Sequence, residues 1–485
     1  MRIIVNILKK LNHRFMSKNQ LYDFGIVGLG VMGRNFLLNV ADHGYSIIGL
    51  DTNKEQAQAL VEEASGKPAK ATTDMKDFVK SLKTPRKIML LVPAGKTVDI
   101  VIDSLLKYVE PKDVIIDGGN SFFEDTERRL EYLKEKKVTF LGVGVSGGAK
   151  GARLGPSIMP GGSKKAYNKV KKILEAVSAK VNGEPCVAYM GKGSAGNYVK
   201  MVHNGIEYAM MQLLAESYDI LKNIGGLNNE ELHQTYKKYN RGKLKSFLIE
   251  ITAEIFTQKD DLGKGMLIDK ILDKAKQKGT GKWTSQNAME FGVPVPTIDA
   301  AVTMRGLSSL KNERLAAEKT LNIRMSKSTV DKSKMVKKVG DALFFAFITA
   351  YSQGMALLTD VSKEKGFGVD LESTARIWRG GCIIRASLLE DIRKAYSTNA
   401  DLPNLMMDKT FARHLKGNHN ALRYIIKKSI DTGIPTLAFS TSLAYFDAYR
   451  GGRLPLNLTQ AQRDHFGSHT YERIDKDGTF HTEWE

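Results

Sequence analysis

Two cysteines in 485 residues, Cys186 and Cys382, are too few for a disulfide framework or a four-thiolate zinc site. That scarcity fits a reducing compartment, and a cytoplasmic location is expected. No window reaches the roughly 18 consecutive apolar residues that a membrane helix requires, so no membrane partner is expected. The first twenty residues are basic and partly apolar, but they lack the longer apolar stretch and small-residue cleavage site of a secretory signal. With Met16 just ahead of the first clear strand, residues 1–20 read as an extension or an upstream start that the domains do not need. The net charge of +20 has no zinc-finger spacing or RNA-binding aromatic signature beside it, so no nucleic-acid partner is expected. Attraction of small polyanionic ligands explains the sign equally well.

What is present is an ordinary globular balance, 42% hydrophobic and 26% charged, in a chain long enough for two or three domains. From Tyr22 to about Met190, short apolar runs alternate with amphipathic stretches. The runs at 22–28, 46–51, 87–92, 113–117 and 138–145 read as buried strands, and those at 35–43, 55–64 and 126–136 as helices. Such alternation predicts a parallel sheet covered on both faces. After Gly193 only helical periodicity follows, at 195–222, 230–257, 339–362 and 420–431. Leu232-x-x-Thr235-x-x-x-Tyr239-x-Arg241-Gly242 resembles Leu371-x-x-Thr374-x-x-x-Trp378-Arg379-Gly380, and Ser246-x-Leu248 and Ser387-x-Leu389 follow each, which suggests a duplicated helical unit. From Gly451 onward the chain reads as an irregular tail. The expected organisation is thus an extension (1–20), an α/β Rossmann-type dinucleotide-binding domain (21–194), an all-helical domain (195–450) and a C-terminal tail (451–485).

Gly28-x-Gly30-x-x-Gly33 follows a predicted strand and opens a predicted helix. Its glycines allow a tight turn, close approach of a pyrophosphate and packing of helix on strand. The helix N-terminus then offers unpaired N–H groups to the phosphates. Asp51 ends the second strand at the spacing expected of a carboxylate that binds the ribose hydroxyls of NAD and repels a 2′-phosphate. Lys54 is the nearest cation that could reach such a phosphate.

Lys200, His203, Asn204, Glu207 and Tyr208 share one face of a predicted helix, at offsets 0, 3, 4, 7 and 8. Lys200 and Glu207 stand two turns, about 10 Å, apart, so an amine and a carboxylate could flank a small substrate. A solvated face with spectator charges is the plain alternative. Ser146-Gly147-Gly148 and Asp117-Gly118-Gly119-Asn120 end neighbouring strands at the edge where open α/β sheets bind ligands. Their backbone N–H groups could hold a carboxylate or phosphate. His465 and His469 could pair on a metal if helical, but nothing nearby offers a third ligand, and no metal is expected.

Lys200–Tyr208 (KMVHNGIEY), Ile116–Ser121 (IDGGNS) and Gly144–Gly148 (GVSGG) are similar to signatures of the decarboxylating 6-phosphogluconate dehydrogenases. So are Gln277–Thr284 (QKGTGKWT), Arg305–Leu310 (RGLSSL) and Gln462–His469 (QRDHFGSH). The resemblance covers nearly everything from Tyr22 to Glu485. It implies a homodimeric oxidoreductase of the oxidative pentose phosphate pathway that converts 6-phosphogluconate to ribulose 5-phosphate and CO2 with NAD(P)+. It further implies Lys200 as general base and Glu207 as general acid, with Asn120, Ser146, Gly147, Gly148, His203, Asn204 and Tyr208 lining the substrate. Lys278, Thr280 and Arg305 match positions around the substrate phosphate, and Arg463 and His469 match tail residues that complete the partner subunit's site. Gly28, Leu29, Gly30, Val31, Met32, Gly33, Asp51, Thr52, Asn53, Val92 and Asn120 match the cofactor positions.

NADP is the cofactor usual in that family, whose Asn-Arg-Thr/Ser segment is Asp51-Thr52-Asn53 here. The missing arginine and Asp51 suggest a preference for NAD. Ala149 replaces a common glutamate, and Ala209-Met210 a common Gly-Asp, without touching the acid or the base. The rival readings are a smaller β-hydroxyacid dehydrogenase that only oxidises, and a non-catalytic protein that binds cofactor or nucleic acid. The second helical unit with Lys278, Arg305 and Arg463 argues against the first, and retention of Lys200 and Glu207 against the second.

Overall fold

The computed structural model describes residues 20–323, 325 and 330–484. The expected extension, apart from Gln20, lies outside them.

Strands β1 (Phe24–Val27), β2 (Ile47–Leu50), β3 (Ala69–Thr72), β4 (Lys87–Leu90), β5 (Val114–Asp117), β6 (Thr139–Ser146) and β7 (Ser157–Gly162) form one sheet in the order 3-2-1-4-5-6-7. Phe24 lies opposite Ile47 and Gly25 opposite Ile88, so β1 is flanked in parallel by β2 and β4. Only β7 runs antiparallel, pairing with β6 from Leu141–Gly162 to Ser146–Ser157. Helices α1 (Val31–Asp42), α2 (Lys54–Glu63), α3 (Met75–Lys80), α4 (Lys96–Leu105), α5 (Phe123–Glu135), α6 (Gly148–Leu154) and α7 (Lys164–Val177) alternate with the strands. β1, β2 and β5 are buried along their whole length, which is why their sequences read as continuous apolar runs. One core gathers Phe24, Phe36, Ile47, Ile116 and Leu174; another, on the opposite face, gathers Ile48, Phe78, Ile88 and Phe140. A two-residue hairpin, β8 (Lys180–Val181) and β9 (Glu184–Pro185), closes this half.

Beyond it the chain is helical. Helix α8 (Ala195–Asp219) runs on into a π-helical turn at Ile220–Ile224. Next come α9 (Asn229–Tyr239), α10 (Phe247–Ile255), α11 (Thr280–Glu290), α12 (Pro296–Ser309), α13 (Lys311–Leu321), α14 (Lys332–Glu364), α15 (Leu371–Trp378), α16 (Leu388–Thr398), α17 (Lys409–Thr432) and α18 (Leu437–Tyr449). Asn228 opens α9 with a capping box completed by Glu231. Helix α14 is long and apolar enough to cross a membrane, yet 89% of its most apolar stretch is buried inside the chain. It is a core helix, packed on α8 and α17.

The two similar sequence segments meet in space. The Phe247 N–H donates to the Arg385 carbonyl at 3.0 Å and the Ser387 N–H to the Lys245 carbonyl at 2.9 Å, so the loops that open α10 and α16 pair antiparallel.

The tail departs from the irregular reading. Leu456–Gly467 is helix α19, and β10 (Tyr471–Glu472) pairs with β11 (Thr479–Phe480). Asp464 holds them together. Its wholly buried carboxylate accepts from the Thr470 N–H at 2.9 Å, His481 Nδ1 at 2.9 Å, the Thr482 N–H at 3.1 Å and Trp484 Nε1 at 2.9 Å. These donors hold its carboxyl well below the usual range.

Candidate active site

Helix α8 crosses the edge of the sheet against β6 and β7 and packs on α11, α12 and α14. Its approach depends on Gly144 in β6, where a Cβ would lie 2.4 Å from the Lys200 Cβ. The face that carries Lys200, His203, Asn204, Glu207 and Tyr208 is therefore not the solvated one of the plain alternative. Lys200 is 6% exposed, and His203 is wholly buried.

Lys200 Nζ lies 3.5 Å from His203 Nδ1. The same nitrogen lies 3.1 Å from Asn204 Oδ1, while His203 Nε2 lies 3.5 Å from Ser146 Oγ. An amide oxygen only accepts, so Nδ1 carries the imidazole proton and Nε2 is left to accept from Ser146. Asn204 Nδ2 in turn donates to Thr280 Oγ1 at 3.1 Å. Burial, reinforced by Lys200, pushes the His203 pKa well below its ordinary value. The imidazole is thus neutral, and its 3.9 Å approach to Glu207 Oε2 is not a bridge between charges.

Burial also lowers the pKa of Lys200, against the opposing pull of Glu207. It raises that of Glu207, over the opposing influence of Lys200 and Arg305. An amine that sheds its proton easily and a carboxyl that keeps one are the two proton carriers that acid–base chemistry needs. The Arg305 guanidinium stacks 3.4 Å from the centroid of the Tyr208 ring, and its Nη1 donates to the Lys276 carbonyl at 3.0 Å. Lys278 stands exposed two residues before Thr280, the first residue of α11. Gly147 and Gly148 open α6 directly after Ser146, and Asn120 is exposed beyond the end of β5.

Ser146, Lys200, His203, Asn204, Glu207, Tyr208, Thr280 and Arg305 thus lie along one contiguous path. Arg463 and His469 do not join it. Arg463 Nη1 donates to Gln460 Oε1 at 3.2 Å, and His469 packs on Phe466, both within the tail. Since α19 ends at Gly467 and Ser468 is left-handed, His465 and His469 do not share a helix face. Among the described residues no group of three His, Cys, Asp or Glu is placed to hold a metal. The sequence reading placed Trp378 in the repeated helical segment and not at the site, yet its ring packs edge-on against His203, with centroids 5.4 Å apart. An aromatic at helical spacing carries no mark of the partner it meets.

The dinucleotide fingerprint forms as its spacing predicts. Gly28 has φ +95°, and a Cβ on Gly33 would lie 1.8 Å from the Gly28 carbonyl oxygen. No atom lies within 4 Å of where a Gly30 Cβ would be, and no side chain caps α1, whose first residues are Val31, Met32 and Gly33. That open, donor-rich turn fits a pyrophosphate. Asp51 closes it: Oδ2 accepts from the Leu29 N–H at 2.7 Å and Oδ1 from the Asn53 N–H at 2.9 Å. Thr52, Asn53 and Lys54 are exposed beside it, and the turn rests on Val92, whose Cγ1 would meet a Gly28 Cβ at 2.9 Å.

A largely parallel sheet with an open glycine turn, beside a buried lysine and a glutamate whose pKa burial raises, defines a nicotinamide-dependent dehydrogenase. Comparison with known proteins narrows the class. Residues 23–191 match the family model described as the NAD binding domain of 6-phosphogluconate dehydrogenase, and residues 196–484 match that of its C-terminal domain. The NADP(+)-dependent, decarboxylating 6-phosphogluconate dehydrogenase of Bacillus subtilis (strain 168) is 49% identical over 470 residues, covering 97% of this chain and 100% of that one. A decarboxylating 6-phosphogluconate dehydrogenase of Spinacia oleracea is 50% identical over 468 residues, covering 95% and 97%. The structure of Plasmodium falciparum 6-phosphogluconate dehydrogenase, described apo, with NADP+ and with 6-phosphogluconate, superposes with a TM-score of 0.92 at 46% identity, covering 95% of this chain and 100% of that one. The chain belongs to the 6-phosphogluconate dehydrogenase family.

Proposed function

We propose that the chain oxidises and decarboxylates 6-phosphogluconate to ribulose 5-phosphate and CO2, reducing NAD(P)+. The observation that carries this reading is the buried Lys200, placed with His203 and Glu207 on one helix face in a chain of this family. The rival reading as a smaller β-hydroxyacid dehydrogenase has no comparable support, since the relatives named decarboxylating match along nearly their full length.

The turn of Gly28, Leu29, Gly30, Val31, Met32 and Gly33, with Asp51, Thr52, Asn53, Val92 and Asn120, would hold the dinucleotide, which would supply a hydride acceptor. Lys200, whose proton burial makes easier to lose, takes in its neutral form the proton of the substrate 3-hydroxyl as C3 is oxidised. The product is a β-keto acid. Lys200, now charged, returns that proton to the carbonyl oxygen as the bond to the carboxylate breaks and CO2 leaves with an enediol behind it. Glu207 then protonates C1 of the enediol while Lys200 withdraws the C2 hydroxyl proton, which leaves the ketone. Ser146, Gly147, Gly148, His203 and Asn204 orient the sugar acid. Tyr208, Lys278, Thr280 and Arg305 hold its phosphate, to which a guanidinium offers paired hydrogen bonds. Arg463 and His469 of a second copy complete the site in a homodimer, and the expected location is cytoplasmic.

The Bacillus subtilis relative is NADP(+)-dependent and the Plasmodium falciparum structure is described with NADP+, yet Asp51 and the absent arginine favour NAD+ here. A carboxylate fixed by two backbone N–H groups cannot turn away from a 2′-phosphate, and Lys54 is the only nearby compensation in the sequence segment. Initial rates with 6-phosphogluconate at matched NAD+ and NADP+ test both points. A higher kcat/KM with NAD+ is expected. A strong NADP+ preference overturns the cofactor assignment, and no turnover with either overturns the activity.

A further inference from the structure

Two arginines stand side by side on α5. Arg128 is 55% exposed in its side chain, whereas that of Arg129 is 1% exposed. A guanidinium withdrawn from water is costly unless its donors are met. Those of Arg129 are met from two separate segments of chain. Nε donates to Asp99 Oδ1 at 2.8 Å and Nη2 to the Gly95 carbonyl at 2.9 Å, both at the start of α4, just after β4. Nη1 reaches Asp117 Oδ2 at 3.4 Å and Ser121 Oγ at 3.3 Å, where the chain leaves β5. Asp117 is itself wholly buried and folds that turn, accepting from the Gly119 N–H at 3.0 Å and the Ser121 hydroxyl at 2.6 Å. Arg129 therefore joins the β4 exit to the β5 exit through a rigid, planar set of donors that lysine does not have.

The place of these exits in the sheet gives the tie its meaning. Strand order reverses between β1 and β4, and ligands of such sheets lie in the crevice at that point. Asp51, at the end of β2, takes the adenosine ribose, and the glycine turn after β1 takes the pyrophosphate. An extended dinucleotide must then lay its other half over β4 and β5, toward Lys200 beside β6. The surfaces there adjoin closely: a Gly28 Cβ would touch Val92, and a Gly119 Cβ would lie 3.5 Å from the Val92 carbonyl oxygen.

We propose that Arg129 is a positioning residue for the nicotinamide half of the dinucleotide, holding the loops of Val92 and Asn120 in one arrangement by bonding both at once. The assignment rests on the reading of the chain as an NAD(P)+-dependent dehydrogenase. Without the tie, each loop samples more conformations, and binding must order them.

Calorimetric titration of the full chain with NAD+, NADP+ and ADP-ribose tests it. ADP-ribose carries the adenosine half and the pyrophosphate and lacks the nicotinamide. Arg129→Lys keeps the charge but cannot span both loops, and Asp99→Asn loosens one side from a carboxylate that is itself 30% exposed. Arg129→Lys should weaken the better dinucleotide about tenfold while ADP-ribose changes less than about twofold, and Asp99→Asn should do the same to a smaller degree. Equal weakening of dinucleotide and ADP-ribose would reveal general loosening and overturn the assignment, as would unchanged affinities. If Arg129→Lys does not fold, the ratio in Asp99→Asn decides alone. A wild-type chain that binds neither ligand would instead sink the dehydrogenase reading, and this assignment with it.

Discussion

A lysine amine surrounded by protein loses its proton more readily than one in water, and a carboxyl in the same surroundings keeps its proton longer. Lys200 and Glu207 are displaced in these opposite directions by one cause, burial. The signs for activity follow. Neutral Lys200 grows as pH rises through its lowered pKa, which makes the acid limb of a bell-shaped profile. Protonated Glu207 declines as pH rises through its raised pKa, which makes the alkaline limb. Lys200→Met should lower kcat by about 10³-fold with little change in KM for 6-phosphogluconate, a typical loss for a general base. Glu207→Gln should leave a residual rate that retains the acid limb and loses the alkaline one. An alkaline limb that survives in Glu207→Gln would mean that another group is the acid.

Among the elements, α8 carries a second buried carboxylate with a structural task. Glu216 Oε1 accepts from the Ala438 N–H at 2.8 Å and Oε2 from the Phe439 N–H at 3.0 Å, so one helix caps the start of α18. Burial nevertheless raises its pKa to about 7. The folded chain therefore binds a proton there that the unfolded chain releases near pH 4.5. Its stabilising contribution is complete below that pH and is lost as pH rises to about 7. In denaturant titrations, the stability of wild type relative to Glu216→Gln should fall by about 3 kcal/mol between pH 4.5 and 7.5, and a flat difference would refute the assignment. The same contrast between local and distant causes explains what the sequence made legible. β1, β2 and β5 announce themselves because both faces are buried, whereas β3 has one buried residue of four and shows no apolar run. β7 contains Pro160 and two glycines, and its burial comes from β6 and α8 rather than from its own pattern. The polar face of α8 was readable at helical spacing. That it is buried was not, because Gly144 and Trp378 that enclose it lie far away in sequence. The tail read as irregular for a different reason: its order comes from one buried carboxylate, Asp464, gathering donors from positions 470 to 484, and not from an apolar period.

At the scale of the whole molecule, the tail is the part that the proposed homodimer assigns to the site of a second copy. Asp464 gives it internal order, yet Arg463 and His469 stay exposed, and Leu456, Leu458 and Phe466 of α19 present apolar surface to solvent. Exposed apolar surface beside the Arg463 guanidinium suits a second copy better than water. If the tail of one chain completes the site of another, two separately inactive variants can rescue each other. Lys200→Met spoils the site in its own body but carries an intact tail, and Arg463→Ala has the reverse defect. Unfolded together and refolded as an equal mixture, half of the dimers are mixed, and each holds one site with both Lys200 and Arg463 intact. The mixture should therefore recover about a quarter of wild-type activity, while each variant refolded alone stays near its own low rate. A mixture no more active than the mean of its parts would show that Arg463 acts within its own chain, and the tail would then have to fold back onto the body that bears it.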